Sequence, residues 1–214
     1  MIWLNRWIIV LFVIGLAGCS GDSDPSTPEA ETASAWSAFQ QGDYTQAAEK
    51  ADAALNLSAT FVEAYVVGAW AYARLGDQNT ALTYANQALQ HQPSPPDQVD
   101  ALAVRAFLSW TLDQIPNALD DAQHVLALDA GWRFSRGDPT VNASDIRLLV
   151  AQCFWVQAAW NLAQDQVEMV AESVDYPLIL DANNPSTWVV NGVTYATYPE
   201  ALLMIIEDLL YRLS

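Results

Sequence analysis

Gly42-Asp43-Tyr44-Thr45-Gln46-Ala47 and Gly76-Asp77-Gln78-Asn79-Thr80-Ala81 are two related stretches that stand 34 residues apart in this 214-residue chain. Self-similarity at a fixed period of roughly 20 to 50 residues is the sequence signature of a repeat architecture. When the two stretches are aligned on Ala47 and Ala81, further copies fall on Ala118, 37 residues on, and on Ala163, another 45 residues on. The sequence therefore predicts four copies of one structural unit.

Small side chains recur at fixed distances from these four anchor alanines. The position twelve residues before the anchor is alanine in every copy, and the positions four and seven residues after it are alanine or valine. These positions are Ala35, Ala69, Ala106 and Ala151; Ala51, Ala85, Ala122 and Val167; and Ala54, Ala88, Val125 and Val170. Three columns in one register predict two helices per copy that pack closely against each other.

These residues resemble the tetratricopeptide repeat (TPR), with a small residue in its first helix, a Gly-Asp-Tyr turn and an alanine-rich second helix. The second copy carries the most family-typical residues: Tyr65, Ala69, Tyr72, Gly76, Ala81, Ala88, Leu89 and Pro93. The third copy has Asp113 in place of the turn glycine, and the fourth has Ala158-Ala159 in place of Gly-Asp. The resemblance implies an all-α solenoid of antiparallel helix hairpins over residues 33–177, with its first helices on a concave side.

Aromatic residues occupy two of the columns that would line this concave side. Eleven residues before the anchors stand Trp36, Trp70, Phe107 and Gln152, and eight before them stand Phe39, Ala73, Trp110 and Trp155. We call the six aromatic members the aromatic ladder. Because aromatic residues dominate protein–protein hot spots, the ladder predicts a groove for a protein or peptide partner. In the alternative interpretation, the ladder is core that the protein's own C-terminal segment covers, since large exposed apolar patches are rare on monomers.

Residues 178–214 follow a different pattern. Trp188 to Tyr195 alternates β-branched and aromatic residues around Asn191-Gly192, which predicts a β-hairpin. Thr197 and Glu200 form a capping-box pattern ahead of a helix predicted over Tyr198–Leu213. We expect a small hairpin-plus-helix cap on the last repeat; a separate recognition hairpin is the alternative.

Residues 1–18 have the layout of a secretory signal, and Leu16-Ala17-Gly18-Cys19 resembles the lipobox of bacterial lipoproteins. The resemblance implies lipidation of Cys19, with residues 19–32 as a flexible tether. Ser20 follows the cysteine where family members retained in the inner membrane carry aspartate. By this resemblance, we expect a lipid-anchored protein on the periplasmic face of the outer membrane.

Composition limits the functions that remain open. Eight Lys and Arg against 25 Asp and Glu give a net charge of −17, which argues against nucleic acid as a partner. Arg133, Arg136 and Arg147 cluster in sequence; they either balance local acids or form a docking patch for an acidic partner. Cys153 fits a small buried hydrophobic position.

The chain carries no recognisable catalytic, cofactor-binding or metal-binding motif. We therefore expect a non-enzymatic scaffold that needs no cofactor and serves the assembly of an envelope complex. Two alternatives stay open at this point. One is an envelope hydrolase that uses a carboxylate pair, and the other is a purely structural subunit with the aromatic ladder buried inside it.

Overall fold

The computed structural model of the chain describes residues 26–213. Helices dominate this part of the chain. They are α1 (Pro28–Gln40), α2 (Tyr44–Leu57), α3 (Val62–Leu75), α4 (Gln78–Gln90), α5 (Pro95–Thr111), α6 (Ile115–Leu128), α7 (Ala143–Val156), α8 (Trp160–Ser173) and α9 (Tyr198–Leu213). A short 3₁₀ helix (Pro185–Thr187) and the strands β1 (Val189–Val190) and β2 (Val193–Thr194) lie between α8 and α9.

The Gly-Asp pairs of the repeat form the turns between paired helices. Gly42 and Gly76 adopt left-handed backbone angles, with φ of 79° and 82°, which end α1 and α3. The aspartates that follow, Asp43 and Asp77, then cap α2 and α4 by accepting backbone N–H hydrogen bonds. The third and fourth copies make the same left-handed turn without glycine, at Asp113 (φ 58°) and Ala158 (φ 57°).

The helices stack in two layers. Each first helix (α1, α3, α5, α7) packs against its own second helix, and consecutive first helices also contact one another, as α7 and α9 do. Consecutive second helices contact one another weakly or not at all. The first helices therefore form the inner layer of a curved stack, and α9 continues that layer as an unpaired last member.

The repeat columns form the core between the layers. The four anchor alanines and the alanines twelve residues before them are completely buried, and so are the columns four and seven residues after the anchors. This arrangement confirms the predicted fold class, an all-α solenoid of antiparallel helix hairpins with a small C-terminal cap.

The cap has the predicted structure. Asn191 and Gly192 both have positive φ, which suits the two-residue turn of a hairpin, and Val189 pairs with Thr194 and Val190 with Val193. The Thr197 amide donates to the Glu200 carboxylate (3.1 Å), as a capping box requires, and α9 spans the predicted residues.

The N-terminal boundary differs from the expectation. Thr27 caps α1 and the helix begins at Pro28, so the last five residues of the predicted 19–32 tether are helical. Residues 1–25, which include the predicted signal segment and Cys19, lie outside the described part of the chain. None of the helices within residues 26–213 is long and apolar enough to cross a membrane.

Candidate functional site: a concave face divided by an inserted loop

The third repeat is followed by an insertion loop (residues 129–142) that folds into a closed hairpin-like unit. The Phe134 amide donates to the Val141 carbonyl oxygen (2.9 Å), and the Ala143 amide donates to the Trp132 carbonyl oxygen (2.8 Å). Trp132 and Phe134 are 3% and 0% exposed, so this loop carries large core side chains. Its composition predicts a loop, and its burial shows that it belongs to the hydrophobic core.

The insertion loop covers the aromatic ladder of the first two repeats. The Phe134 ring stacks on Trp70, with the ring centroids 4.0 Å apart and an interplanar angle of 20°. The same ring makes edge-to-face contacts with Trp36 and Phe39, at centroid distances of 5.9 and 5.7 Å. Trp36, Phe39 and Trp70 are 8%, 2% and 4% exposed. These three predicted groove residues therefore form an internal aromatic cluster in the described structure.

Arg136, near the tip of the insertion loop, lies among three carboxylates of the inner layer. Its Nη1 donates to Asp97 (2.7 Å), and its Nε and Nη2 both donate to Asp100 (3.0 and 2.8 Å). Glu63 lies 3.4 Å from Nη1, and the guanidinium carbon is 5.0 Å from the centroid of the Trp36 ring. One arginine thus fills a site built from carboxylates and an aromatic face.

Burial controls the electrostatics of this site. Burial raises the pKa of the Asp100 carboxyl, while the donors from Trp132 and Arg136 oppose that shift. For Arg136, burial acts to lower the pKa, but Asp100 and Asp97 raise it above its usual value. The positive charge of Arg136 therefore offsets the free-energy cost of burying the Asp100 carboxylate.

A second ion pair fixes the loop tip to the first two repeats. The Arg74 guanidinium donates to the Asp138 carboxylate (3.1 Å), and the Gln40 side-chain amide donates to the Arg136 carbonyl oxygen (2.8 Å). Burial alone would raise the pKa of Asp138, but hydrogen bonds from Thr140 and the Arg74 charge hold it below its usual value. The loop tip is thus bonded to both α1 and α3.

An open groove lies at the α1 edge of the loop. This groove has a volume of about 390 Å³. Its lining residues are Glu29, Ala33, Trp36, Ser37, Gln40, Glu63 and Arg136. Because Trp36 is 8% exposed, the groove reaches only the margin of the buried aromatic cluster.

The rest of the aromatic ladder lies beyond the insertion loop and stays half-buried. We call this the open strip: Phe107 and Trp110 of α5 and Trp155 of α7. Phe107 packs edge-to-face on Trp70 (6.3 Å), which joins the strip to the buried cluster. The Trp155 indole N–H donates to the Pro199 carbonyl oxygen (2.8 Å), where α9 begins. The C-terminal segment therefore borders the strip at Trp155, whereas the insertion loop covers the opposite end of the ladder.

Trp110 is unusual among the tryptophans. Five of the seven tryptophans within residues 26–213 donate their indole N–H to a protein acceptor: Trp36, Trp70, Trp132, Trp155 and Trp188. The indole N–H groups of the other two described tryptophans, Trp110 and Trp160, donate to no described residue. Trp160 lies on α8 and is 38% exposed. The neighbouring ladder position, Gln152, holds a buried side-chain oxygen without a hydrogen-bond partner among the described residues.

The sequence-based prediction did not include Trp132 and Phe134 among the residues that fill the concave face, and it left the role of Arg136 open. Trp132, Phe134 and Arg136 alternate with polar residues in a segment that turn-forming residues otherwise dominate. The first helices, which contact this loop, also carry a regular sequence pattern. In each repeat, the residue six positions before the repeat-column alanine of the first helix (Ala35, Ala69, Ala106 or Ala151) is acidic. This column consists of Glu29, Glu63, Asp100 and Asp145. Glu63 and Asp100 contact Arg136, whereas Asp145 completes the capping box of α7.

The three clustered arginines have separate environments. Arg136 balances local acids, in line with the first of the two interpretations of this cluster, whereas Arg147 donates to Gln166 and to the Met169 sulfur. Arg133 donates to the Pro139 carbonyl oxygen within its own loop. The structure does not gather these three side chains into one basic patch.

The described residues offer little for catalysis. The three carboxylates that converge, those of Glu63, Asp97 and Asp100, are all bonded to Arg136, and of the three only Glu63 lines the open groove. Within residues 26–213, no group of three or more His, Cys, Asp or Glu side chains is placed to hold a metal ion. Cys153 is completely buried, and burial raises the pKa of its thiol to about 12, which suits a packing role.

Comparison with known proteins identifies the fold and not a close relative. No protein-family profile matches the chain, and no curated protein matches its sequence. Similar solved structures include YrrB, a TPR protein with an unusual peptide-binding site, at 17% identity, 84% coverage of both chains and a TM-score of 0.59. PilF of Pseudomonas aeruginosa shares 14% identity over 89% of this chain and 74% of its own, with a TM-score of 0.60. MamA shares 12% identity over 87% and 89% of the two chains, with a TM-score of 0.58. These similarities establish a TPR-type fold for the chain.

Proposed function

We propose that the protein is a non-enzymatic scaffold that holds a polypeptide partner on the open strip of its concave face. The observation that carries the proposal is the division of the aromatic ladder: the insertion loop buries one end, while Phe107, Trp110 and Trp155 stay half-buried at the other. Large aromatic side chains are the usual anchors of protein interfaces, and Trp110 also makes no indole hydrogen bond to a described residue. The similar fold of YrrB, whose described peptide-binding site gives a precedent, supports this function.

The test is partner binding by variants that remove the anchors. We expect the double variant Trp110→Ala, Trp155→Ala to lose a crosslinked or co-purified partner while its helical circular dichroism stays that of the parent. Trp160→Ala is the matched control, because Trp160 is an exposed tryptophan on α8, in the other helix layer. Equal retention of the partner by both variants would reject the concave-face model.

We further propose that the protein is a lipid-anchored lipoprotein of the periplasmic face of the outer membrane, with its lipid on Cys19. The support is the sequence Leu16-Ala17-Gly18-Cys19, followed by Ser20. Two or three acyl chains hold a protein stably on a bilayer, because each buried CH₂ contributes about 0.8 kcal/mol. Fatty-acid labelling tests this proposal directly: the label should be lost in Cys19→Ala and retained in Cys153→Ala, and labelling that survives in Cys19→Ala would refute it.

Assembly of an envelope complex is the process we propose for such a scaffold, whether the complex concerns outer-membrane proteins, a pilus or secretin, or the cell-wall machinery. A scaffold at the periplasmic face would meet partners of all three kinds. Crosslinking through the open strip in the native envelope, followed by identification of the captured protein, distinguishes among them.

A further inference from the structure

We infer that the open strip binds a basic segment of its partner, through arginine or lysine side chains laid on Trp110 and Trp155. This inference rests on the proposed function, because it names the chemistry of the partner at that same surface. Three observations support it: the acidic residues around the strip, the negative charge of the whole domain, and the contacts that Arg136 makes with an indole and carboxylates elsewhere on the concave face.

The local charge around the strip is negative on two sides. The Asp113 amide donates to the Trp110 carbonyl oxygen (3.1 Å), so this exposed aspartate lies in the turn after α5, three residues beyond the tryptophan. Glu200 is also exposed and follows Pro199, whose carbonyl oxygen accepts the Trp155 indole hydrogen. Each half-buried tryptophan therefore has an exposed acidic residue close to it in the fold.

The protein has few cations to neutralise these acids. Of the charged side chains, only those of Asp22, Asp24 and Arg6 lie outside the described residues, so residues 26–213 carry a net charge of −16. Five of the seven described basic side chains are already in ion pairs: Lys50, Arg74, Arg105, Arg136 and Arg212. The two others, Arg133 and Arg147, bond to a loop carbonyl and to the α8 side chains. Charge complementarity therefore favours a cationic partner.

The other half of the same concave face shows how such a partner would bind. There Arg136 places its guanidinium over Trp36 at 5.0 Å and bonds to the carboxylates of Asp97 and Asp100. The open strip likewise has an exposed acidic residue close to each tryptophan, while the arginines within residues 26–213 are bonded to other residues. A cation that joins an aromatic face and a carboxylate gains both cation–π and ionic contacts.

The experiment uses two synthetic nonapeptides of alternating arginine and glycine, acetylated and amidated, in which citrulline replaces arginine in the second. Citrulline keeps the shape and removes the charge. We expect the arginine peptide to bind the protein at 150 mM NaCl and the citrulline peptide to bind at least tenfold more weakly. Comparable affinity for the two peptides, or no binding of the arginine peptide, would overturn the inference.

Matched charge variants separate this site from attraction by the whole acidic surface. Asp113→Asn with Glu200→Gln removes two charges beside the strip, and glutamine preserves the capping box. Asp120→Asn with Asp165→Asn removes two exposed charges from the outer layer. We expect the first pair to weaken binding of the arginine peptide about tenfold and the second less than twofold, and Trp110→Leu to weaken it more than Trp110→Phe. Equal losses in the two double variants would show nonspecific attraction and refute the site.

A photo-crosslinking residue at Thr111, which is exposed next to Trp110, separates failure of this inference from failure of the proposed function. It is placed in the full chain in the native envelope, and the crosslinked residues of the partner are mapped. A captured segment rich in arginine and lysine supports the inference. A captured segment without them refutes the basic partner and leaves the scaffold function standing, whereas no capture at all contradicts both.

Discussion

Phe134→Ala tests whether the insertion loop is part of the hydrophobic core. The ring is fully buried and contacts Trp70, Trp36 and Phe39, so its removal leaves a cavity surrounded by rigid aromatic side chains. Phe-to-Ala changes at such sites cost about 3 to 5 kcal/mol. For a domain of this size, each kcal/mol lowers the melting temperature by roughly 2 to 4 °C, so we expect a loss of about 10 °C.

A double-mutant cycle with Gly137 makes this prediction specific to the observed packing. A Cβ added at Gly137 would clash with the Phe134 ring and stand 2.9 Å from Cε1 of Phe39. Gly137→Ala alone should therefore cost about 1 to 3 kcal/mol through overpacking. In the Phe134→Ala background, most of that cost should disappear because the added methyl group enters the vacated space, which gives a measurable coupling energy.

The assay is urea unfolding monitored by circular dichroism. The slope of the unfolding free energy against urea concentration should be equal in all variants, because a changed slope would indicate a change in the compactness of the folded or the unfolded state. Val193→Ala is the control, because Val193 is 54% exposed and its truncation should cost less than about 0.5 kcal/mol. A cost below about 1 kcal/mol for Phe134→Ala would show that the loop does not belong to the core. The same cost for Gly137→Ala in both backgrounds would show that the two residues do not touch.

Three further predictions concern charge and backbone strain. Arg136→Gln should cost about 2 to 3 kcal/mol at pH 7, since it leaves the buried Asp100 carboxylate without its main partner. Because burial raises the folded-state pKa of Asp100, this loss should shrink as the pH falls and the carboxyl takes up a proton, which urea titrations at several pH values would detect. Ala158→Gly should stabilise the protein by about 0.5 to 1 kcal/mol, because Ala158 has a φ of 57° and glycine adopts this left-handed region without strain; a loss of stability in thermal melts would contradict it. The melting temperature should rise between 0.05 and 0.5 M NaCl, as salt screens repulsion within a domain of charge −16, and a flat or falling curve would count against that reasoning.

The sequence predicted those parts of the fold that depend on local or periodic signals. The Gly-Asp turns, the small residues of the repeat columns, the Asn191-Gly192 hairpin and the bounds of α9 each rest on side chains within a few residues of one another. Turn and cap residues determine backbone geometry by their own chemistry, so their effect is readable without knowledge of the rest of the chain. The fourth repeat shows the strength of the column signal, since its turn forms at Ala158 without a glycine.

The occupant of the concave face could not be predicted in this way. Gln40 and Arg136 are 96 residues apart, and Arg74 and Asp138 are 64 apart. No local sequence feature of residues 129–142 indicates that this loop packs against the first two repeats. The acidic column of the first helices was regular enough to be noticed, but acids near a helix start are usually explained by the helix dipole and by solvent. Only the long-range contacts reveal that Glu63 and Asp100 serve an arginine from elsewhere.

The insertion loop also determines where on the solenoid a partner can be held. Consecutive first helices lie side by side, so α1 and α3 form one end of the inner layer and α7 and α9 form the other. The loop closes the end nearer the chain's N-terminus, where Trp36 and Phe39 become core, and leaves the open strip on α5 and α7. If Cys19 carries the proposed lipid, the closed end is the one attached to the membrane through a short linker that ends at Thr27. A partner on the open strip would then bind two or more repeats along the chain from the proposed anchor.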